Sequence, residues 1–218
     1  MSAFDLLRSE IKTYIWEQGW PSLRPIQEAS ITHYTNTTNN LILAAPTASG
    51  KTEAAFLPAN NGVDDWQSGV RIIYISPLIA LINDQFKRVT ELCEHLNITV
   101  TSWHGEASQA QKKKLMKEPE GILLITPESI EAMLVHRPAQ AASLFENVDC
   151  IVIDELHSFL DSARGVHLQS LLQRLRDLNK MKPRHIGLSA TLSRESYEQA
   201  KSFFGLDQET TVLVDSSK

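Results

Sequence analysis

The stretch Ala45-Pro-Thr-Ala-Ser-Gly-Lys-Thr52 constrains the fold more than any other part of the chain. It follows the apolar run Leu41-Ile-Leu-Ala44 and precedes a helical pattern, Glu53-Ala-Ala-Phe-Leu57. A strand, a loop ending Gly-Lys-Thr and a helix form the context that a phosphate-binding loop requires. Gly50 lets the backbone approach a phosphate chain, and the turn Thr47-Ala48-Ser49-Gly50 points successive N–H groups at it. Lys51 is placed to reach the β- and γ-phosphates, and the Thr52 hydroxyl to ligate Mg²⁺. The first position of the pattern is Ala45, where glycine is usual.

A second motif bears on the first. Cys150-Ile-Val-Ile153 reads as a strand buried in a parallel sheet, and it runs into Asp154-Glu155-Leu156-His157. A carboxylate at a strand end beside a phosphate loop can hold Mg²⁺ through water, and the next carboxylate can orient the attacking water. Asp154 takes the metal role in this reading and Glu155 the base role. Glu155 alone would read as an acid favouring a helix N-terminus. Together the motifs point to hydrolysis of a nucleoside triphosphate.

Short apolar runs alternate with helical patterns along the chain. The predicted strands are Leu41–Ala45, Arg71–Ser76, Thr99–Trp103, Ile122–Thr126, Cys150–Asp154, His185–Ser189 and Thr211–Val214. Leucines 168, 171, 172, 175 and 178 recur at helical spacing. This alternation predicts an α/β fold with a mostly parallel sheet covered by helices on both faces. Residues 1–40 read as a helical arm, with Phe4, Leu7, Ile11, Tyr14 and Ile15 on one face, and residues 41–218 as the nucleotide-binding domain. Thr35–Asn40 and Asn60–Asp65 read as exposed loops. Trp20 reads first as packing for the arm and second as a ring that stacks on a base.

A length of 218 residues suits one domain with an arm, and 42% hydrophobic residues suffice for a core. No apolar run approaches the ~18 residues of a membrane span, and the N-terminus lacks the pattern of a signal peptide. Cys93 and Cys150 stand far apart without metal-ligand spacing, which favours free thiols and a reducing cytoplasm. The net charge of −5 does not advertise nucleic acid, and alone it would suggest a metabolic enzyme. A local basic groove matters more than that total.

Beyond the two phosphate motifs, several segments carry candidate roles. Gln27 opens a helix after Arg24-Pro25, and its amide can both donate to and accept from adenine. Thr126-Pro-Glu-Ser129 offers hydroxyls and N–H groups for a nucleic-acid phosphate, or caps a helix. Trp103 and His104 stand at a strand exit, where the indole could stack on a base or pack at the sheet edge. Lys112-Lys-Lys114 with Lys117 reads first as a solvated helix face and second as part of a patch tracking a phosphate backbone. Ser189-Ala-Thr191 closes a strand and can cap the helix that follows.

In order, Ala45–Thr52, Asp154-Glu-Leu-His157 and Ser189-Ala-Thr191 resemble motifs I, II and III of the DEAD/DEAH-box helicases of superfamily 2. Trp20-Pro-Ser-Leu-Arg-Pro-Ile-Gln27 is similar to the Q motif, Ser76-Pro-Leu-Ile-Ala-Leu81 to motif Ia and Thr126-Pro-Glu-Ser129 to motif Ib. Trp103-His-Gly-Glu106 and Arg164-Gly-Val-His-Leu168 resemble the large helicase-related (Lhr) branch. Many relatives carry lysine after the Ser-Pro-Leu of motif Ia, where this chain has Ile79.

The resemblance implies a RecA-like fold of the phosphate-loop nucleotidases, with ATP and Mg²⁺ as cofactors. Gln27 would read adenine, and His157, Ser189 and Thr191 would couple the ATP site to a nucleic-acid groove. Pro77, Leu78, Trp103, His104, Thr126, Pro127 and Ser129 would touch single-stranded or partly duplex nucleic acid. It also implies a second RecA-like domain, which supplies an arginine to the ATP site, so the chain reads as the first half of a motor. Movement would run 3′ to 5′. Two other classes share some of these features: a nucleotide-gated clamp that does not unwind, and a phosphotransferase acting on a small molecule.

Overall fold

The computed structural model describes residues 2–190, 192–205 and 207–215. A 3₁₀ turn at Phe4–Leu6 leads into α1 (Ser9–Glu17) and α2 (Pro25–Asn36). Next come β1 (Asn40–Ala44), α3 (Lys51–Asn61), β2 (Gly69–Ile75), α4 (Ile79–His95), β3 (Val100–Trp103) and α5 (Gln109–Lys117). The chain continues through β4 (Glu120–Ile125), α6 (Pro127–His136), α7 (Pro138–Phe145), β5 (Cys150–Ile153) and a second 3₁₀ turn at Leu156–Ser158. The last elements are α8 (Ala163–Leu178), β6 (Arg184–Ser189), α9 (Arg194–Phe203) and β7 (Thr210–Val214).

The strands form one seven-stranded sheet in the order β3-β4-β2-β5-β6-β1-β7, with every pairing parallel. Their near-continuous apolar sequences follow from burial on both faces. Because side chains alternate along a strand, each central strand feeds two cores. Leu41, Leu43, Ile72, Tyr74, Ile122, Leu124 and Val152 pack with α1–α4 on one face. Ile42, Ile73, Ile75, Leu123, Ile125, Ile151 and Ile153 pack with α5–α9 on the other.

Short polar residues start several helices. The side chains of Ser108, Thr126, Ser162 and Ser193 accept the N–H of Gln111, Ser129, Gly165 and Ser196. Each such cap is worth about 1 kcal/mol. Pro127 and Pro138 occupy first helical positions, where the missing N–H costs nothing.

The N-terminal segment is tied to the sheet's first face. Leu7, Ile11, Tyr14 and Ile15 are buried there, whereas Phe4 lies in the 3₁₀ turn and is exposed. Trp20 packs edge-on against Tyr14, with ring centroids 6.0 Å apart. The Asn61 amide donates to the Leu6 carbonyl (3.1 Å) and accepts from the Arg8 N–H (2.7 Å). Residues 60–65 therefore depart from an exposed loop: Asn60 and Asn61 end α3, and Asn60 and Val63 are buried. Cys93 and Cys150 are free and buried, and burial pushes both thiols up to about 12. Among the described residues, no helix is long and apolar enough to cross a membrane.

Candidate functional site

The strand order sorts the candidate residues along the carboxyl edge of the sheet, where open α/β sheets carry their sites. The ends of β1, β6 and β5 carry the phosphate loop, Ser189 and Asp154. On the other side of β5, the ends of β2, β4 and β3 carry Pro77–Leu78, Thr126–Ser129 and Trp103–His104. Two groups of residues far apart in sequence thus become neighbours across the β5–β2 boundary.

In the phosphate loop, Ala48 and Gly50 both take left-handed conformations, at φ 62° and 86°. The turn makes a concave run of N–H groups suited to an anion. Pro46, Thr47 and Ala48 are exposed, and Ser49, Gly50, Lys51 and Thr52 are half-buried. Gly50 ends the loop as the N-cap of α3, and a Cβ there would lie 2.7 Å from Gln27 Nε2. Lys51 Nζ donates to the carbonyls of Ala45 (2.5 Å) and Pro46 (2.7 Å), so the amine is folded back onto its own loop. Its pKa is lowered, chiefly by burial, against the raising influence of Glu155 and Asp154.

Asp154 is buried at the end of β5. Its Oδ2 accepts from the Tyr74 hydroxyl at 2.5 Å and its Oδ1 from the Glu155 N–H at 2.9 Å. Burial raises its pKa and neighbouring Glu155 adds to that, while the Tyr74 bond opposes it. Thr52 Oγ1 donates to Gln85 Oε1 at 3.0 Å. Among the described residues, no three His, Cys, Asp or Glu side chains group as a metal site. The donors fit Mg²⁺ only as a partial set: a hydroxyl and a buried carboxylate whose charge lacks a full counterweight, completed by phosphates and water.

Glu155 has a left-handed backbone, φ 49°, uncommon for a residue with a Cβ and frequent at functional turns. Its Oε2 lies 3.3 Å from His157 Nε2. His157 Nδ1 lies 3.4 Å from the Ala190 N–H and 3.4 Å from Ser189 Oγ. His157 Nδ1 accepts the Ala190 N–H, and its Nε2 faces Glu155. A continuous path therefore joins the tandem carboxylates to the end of β6. Thr191 lies outside the described residues.

Gln27 is buried at the third position of α2, where its Oε1 accepts the Arg24 N–H at 2.9 Å. Its acceptor is thus occupied within the helix start, and its amide Nε2 faces Gly50. Arg24 was not singled out from sequence. Its guanidinium donates to the Ala48 carbonyl and so clasps the phosphate loop to α2. An Arg three residues before Gln27 was visible, but nothing local to either segment indicates that they meet.

Among the strand-end residues on the other side, Leu78 is exposed at 57%, while Trp103 and Ser129 are half-buried. Pro77, His104, Thr126 and Pro127 are buried, so backbone more than side chain is available there. Thr126 Oγ1 accepts the Ser129 N–H at 3.3 Å and donates to Ser129 Oγ at 2.9 Å, which makes the capping role real. Lys112 departs from a solvated helix face: it is buried, and its amine donates to the His104 carbonyl and lies 5.7 Å from the Trp103 ring centroid.

Arg164, at the start of α8, ties this side together. It donates to the Pro77 carbonyl at 2.7 Å and to Glu128 Oε1 at 2.7 and 2.9 Å. Gly165 permits this placement, because a Cβ there would lie 1.8 Å from the Phe159 carbonyl oxygen. The turn after the tandem carboxylates and the loops after β2 and β4 thus share one set of contacts.

A phosphate loop after β1, tandem carboxylates after β5 and an all-parallel sheet define a RecA-like nucleotide-binding domain. The chain belongs to the DEAD/DEAH box helicase family, whose profile matches residues 24–200. It is 33% identical over 205 residues to the Lhr helicase/uracil glycosylase of Escherichia coli, covering 83% of this chain and 13% of that protein. It is 32% identical over 228 residues to the ATP-dependent helicase Lhr-Core of Saccharolobus solfataricus, covering 96% of this chain and 25% of the relative. The fold superposes on the helicase Lhr of Mycobacterium smegmatis bound to ssDNA and AMP-PNP with a TM-score of 0.85 and 27% identity, over 99% of this chain and 28% of that one. The chain therefore spans between about an eighth and about a quarter of the length of these relatives.

Proposed function

We propose that this domain binds and hydrolyses ATP as the first half of a helicase or translocase that moves on, or unwinds, DNA or RNA. The observation that carries this reading is the path Lys51–Asp154–Glu155–His157–Ser189 along three neighbouring strand ends, next to the loops that would hold a strand. The likeness to a helicase solved with ssDNA and AMP-PNP supports it.

In this reading the loop N–H groups and Lys51 stabilise the charge that develops on the γ-phosphoryl group. Mg²⁺, held by Thr52 and through water by Asp154, would neutralise the phosphate oxygens. Glu155 aligns the attacking water, with His157 Nε2 standing 3.3 Å from its carboxylate. Gln27 would present its Nε2 to adenine, and its acceptor would join only if it gave up the Arg24 N–H. Residues 1–40 would serve as an arm carrying Gln27, and residues 41–218 as the ATP-binding domain. A second RecA-like domain would close onto it and complete the site with an arginine. Pro77, Leu78, Trp103, His104, Thr126, Pro127 and Ser129 would hold the strand largely through backbone groups and hydroxyls. The buried free thiols suit a reducing cytoplasm.

The test is strand displacement by the full-length protein on a duplex with a single-stranded tail, with ATP and without. Displacement that requires ATP supports the reading. ATP-dependent binding with no displacement would make the protein a clamp.

A further inference from the structure

The loops after β2, β4 and β3 lead toward one sheet edge, and beyond β3 a groove opens between α5 and α6. Its volume is about 840 Å³. Trp103, His104 and Ser129 stand where it meets the strand ends, and Lys113, Lys117 and Arg137 line its walls. No aspartate or glutamate lies among its described lining residues, although the chain as a whole holds 26 acidic and 21 Lys or Arg residues. A groove of one sign in an acidic chain concentrates an oppositely charged ligand.

The floor of the groove is built rather than incidental. Lys112 is buried, and its bond to the His104 carbonyl fixes the turn between β3 and α5. His104 is only 4% exposed, yet its Nδ1 has no hydrogen-bond partner among the described residues. Buried polar atoms rarely stay unpaired, and a water or a ligand atom would complete this one. Burial, then Lys112, lowers the pKa of this ring, against the raising influence of Glu106. On the walls, Lys113 and Arg137 are exposed and make no ion pair among the described residues. Lys117 has Glu118 at 3.5 Å, but both side chains are largely exposed and such a pair contributes little.

We propose that this groove extends the path of the nucleic acid: it takes the phosphodiester backbone of the single-stranded segment that leaves the sheet past Trp103, with Lys113, Lys117 and Arg137 as phosphate contacts. The proposal rests on the reading that the strand-end loops hold a single strand. It adds a sequence-independent subsite that none of the recognised motifs contains. The half-buried Trp103 ring at its entrance is placed to stack on the base that turns the corner.

The experiment compares the full-length protein with a Lys113→Ala/Lys117→Ala/Arg137→Ala variant. Binding is measured to oligodeoxythymidines of increasing length over a range of salt concentrations. For the longest strands, losing three phosphate contacts should reduce the slope of log affinity against log salt by about 2, at ~0.7 per phosphate. The shortest strand that binds should show no change in affinity or slope. The melting temperature and the ATPase rate without nucleic acid should stay as in the wild type, because all three side chains are exposed. An unchanged slope on long strands would overturn the groove while leaving the strand-end reading intact. An equal loss on every length would place the three side chains in the strand-end track and also overturn it. A wild type that binds no strand would remove both.

Discussion

Tyr74→Phe isolates one hydrogen bond at the centre of the site. The Tyr74 ring is fully buried and stacks on Phe56, with centroids 5.6 Å apart, and the substitution keeps that packing. Only the O–H donor to Asp154 Oδ2 disappears. Burial and the adjacent carboxylates hold the Tyr74 pKa well above 10, so it is a donor at every working pH. Hydrogen bonds to a charged group are worth about 1.5–3 kcal/mol, which predicts a loss of roughly 2 kcal/mol at pH 8. For a chain of 218 residues that is a fall in melting temperature of about 4–8 °C.

The pH dependence distinguishes this bond from general disruption. The folded-state pKa of Asp154 is raised, so ionising it opposes the fold. That opposition is absent below the unfolded pKa, grows between the unfolded and folded values, and is full above the folded one. The Tyr74 bond relieves part of it, and without the bond the Asp154 pKa climbs further. The difference between wild type and Tyr74→Phe should therefore be full at alkaline pH and shrink as pH falls through the raised pKa of Asp154. Urea unfolding of this chain at several pH values measures it. A destabilisation equal at every pH, or none at all, would refute the coupling of Tyr74 to the Asp154 charge.

Other predictions follow from the same geometry. Arg24→Ala should free the phosphate loop and weaken ATP binding about 5- to 10-fold, the loss of roughly 1–1.4 kcal/mol expected for one side-chain bond, read by nucleotide titration. Gln27→Ala should remove the preference of the wild type for ATP over GTP in the same assay, and equal wild-type affinities would end the adenine-reading role. Gly165→Ala places a methyl against the Phe159 carbonyl and should cost at least ~2 kcal/mol in urea unfolding. Arg164→Ala should instead spare most of the stability, as a partly exposed pair, and raise the nucleic-acid concentration needed for half-maximal ATPase stimulation in the full-length protein.

Much of this architecture was legible because each central strand is a short apolar run bounded by polar punctuation. The predicted strands lie within one or two residues of those observed, as for Cys150–Asp154 against the observed Cys150–Ile153. The phosphate loop was legible because its chemistry demands glycine at a left-handed position and places lysine next to it. The contacts between segments were not. Arg24 on Ala48, Thr52 on Gln85, Tyr74 on Asp154 and Arg164 on Pro77 join residues separated by 24, 33, 80 and 87 positions. No local pattern encodes such partners, because the strand order that brings them together is a property of the whole sheet. Lys112 misled for a related reason: on a polar helix it looks solvated, and only its neighbour across the turn, the His104 carbonyl, draws it inward.

The central claim is that Lys51 clamps phosphate while Glu155 aligns water, and that a bound strand drives the second step. Single-turnover and steady-state ATP hydrolysis by the full-length protein, with and without single-stranded nucleic acid, tests it on the wild type, Lys51→Ala and Glu155→Gln. Wild-type turnover should rise on adding the strand. Lys51→Ala should lose ATP affinity, whereas Glu155→Gln should keep near-normal affinity and lose turnover by about 10²-fold or more. A Glu155→Gln enzyme that turns over normally at saturating ATP, or a wild type indifferent to nucleic acid, would contradict the account.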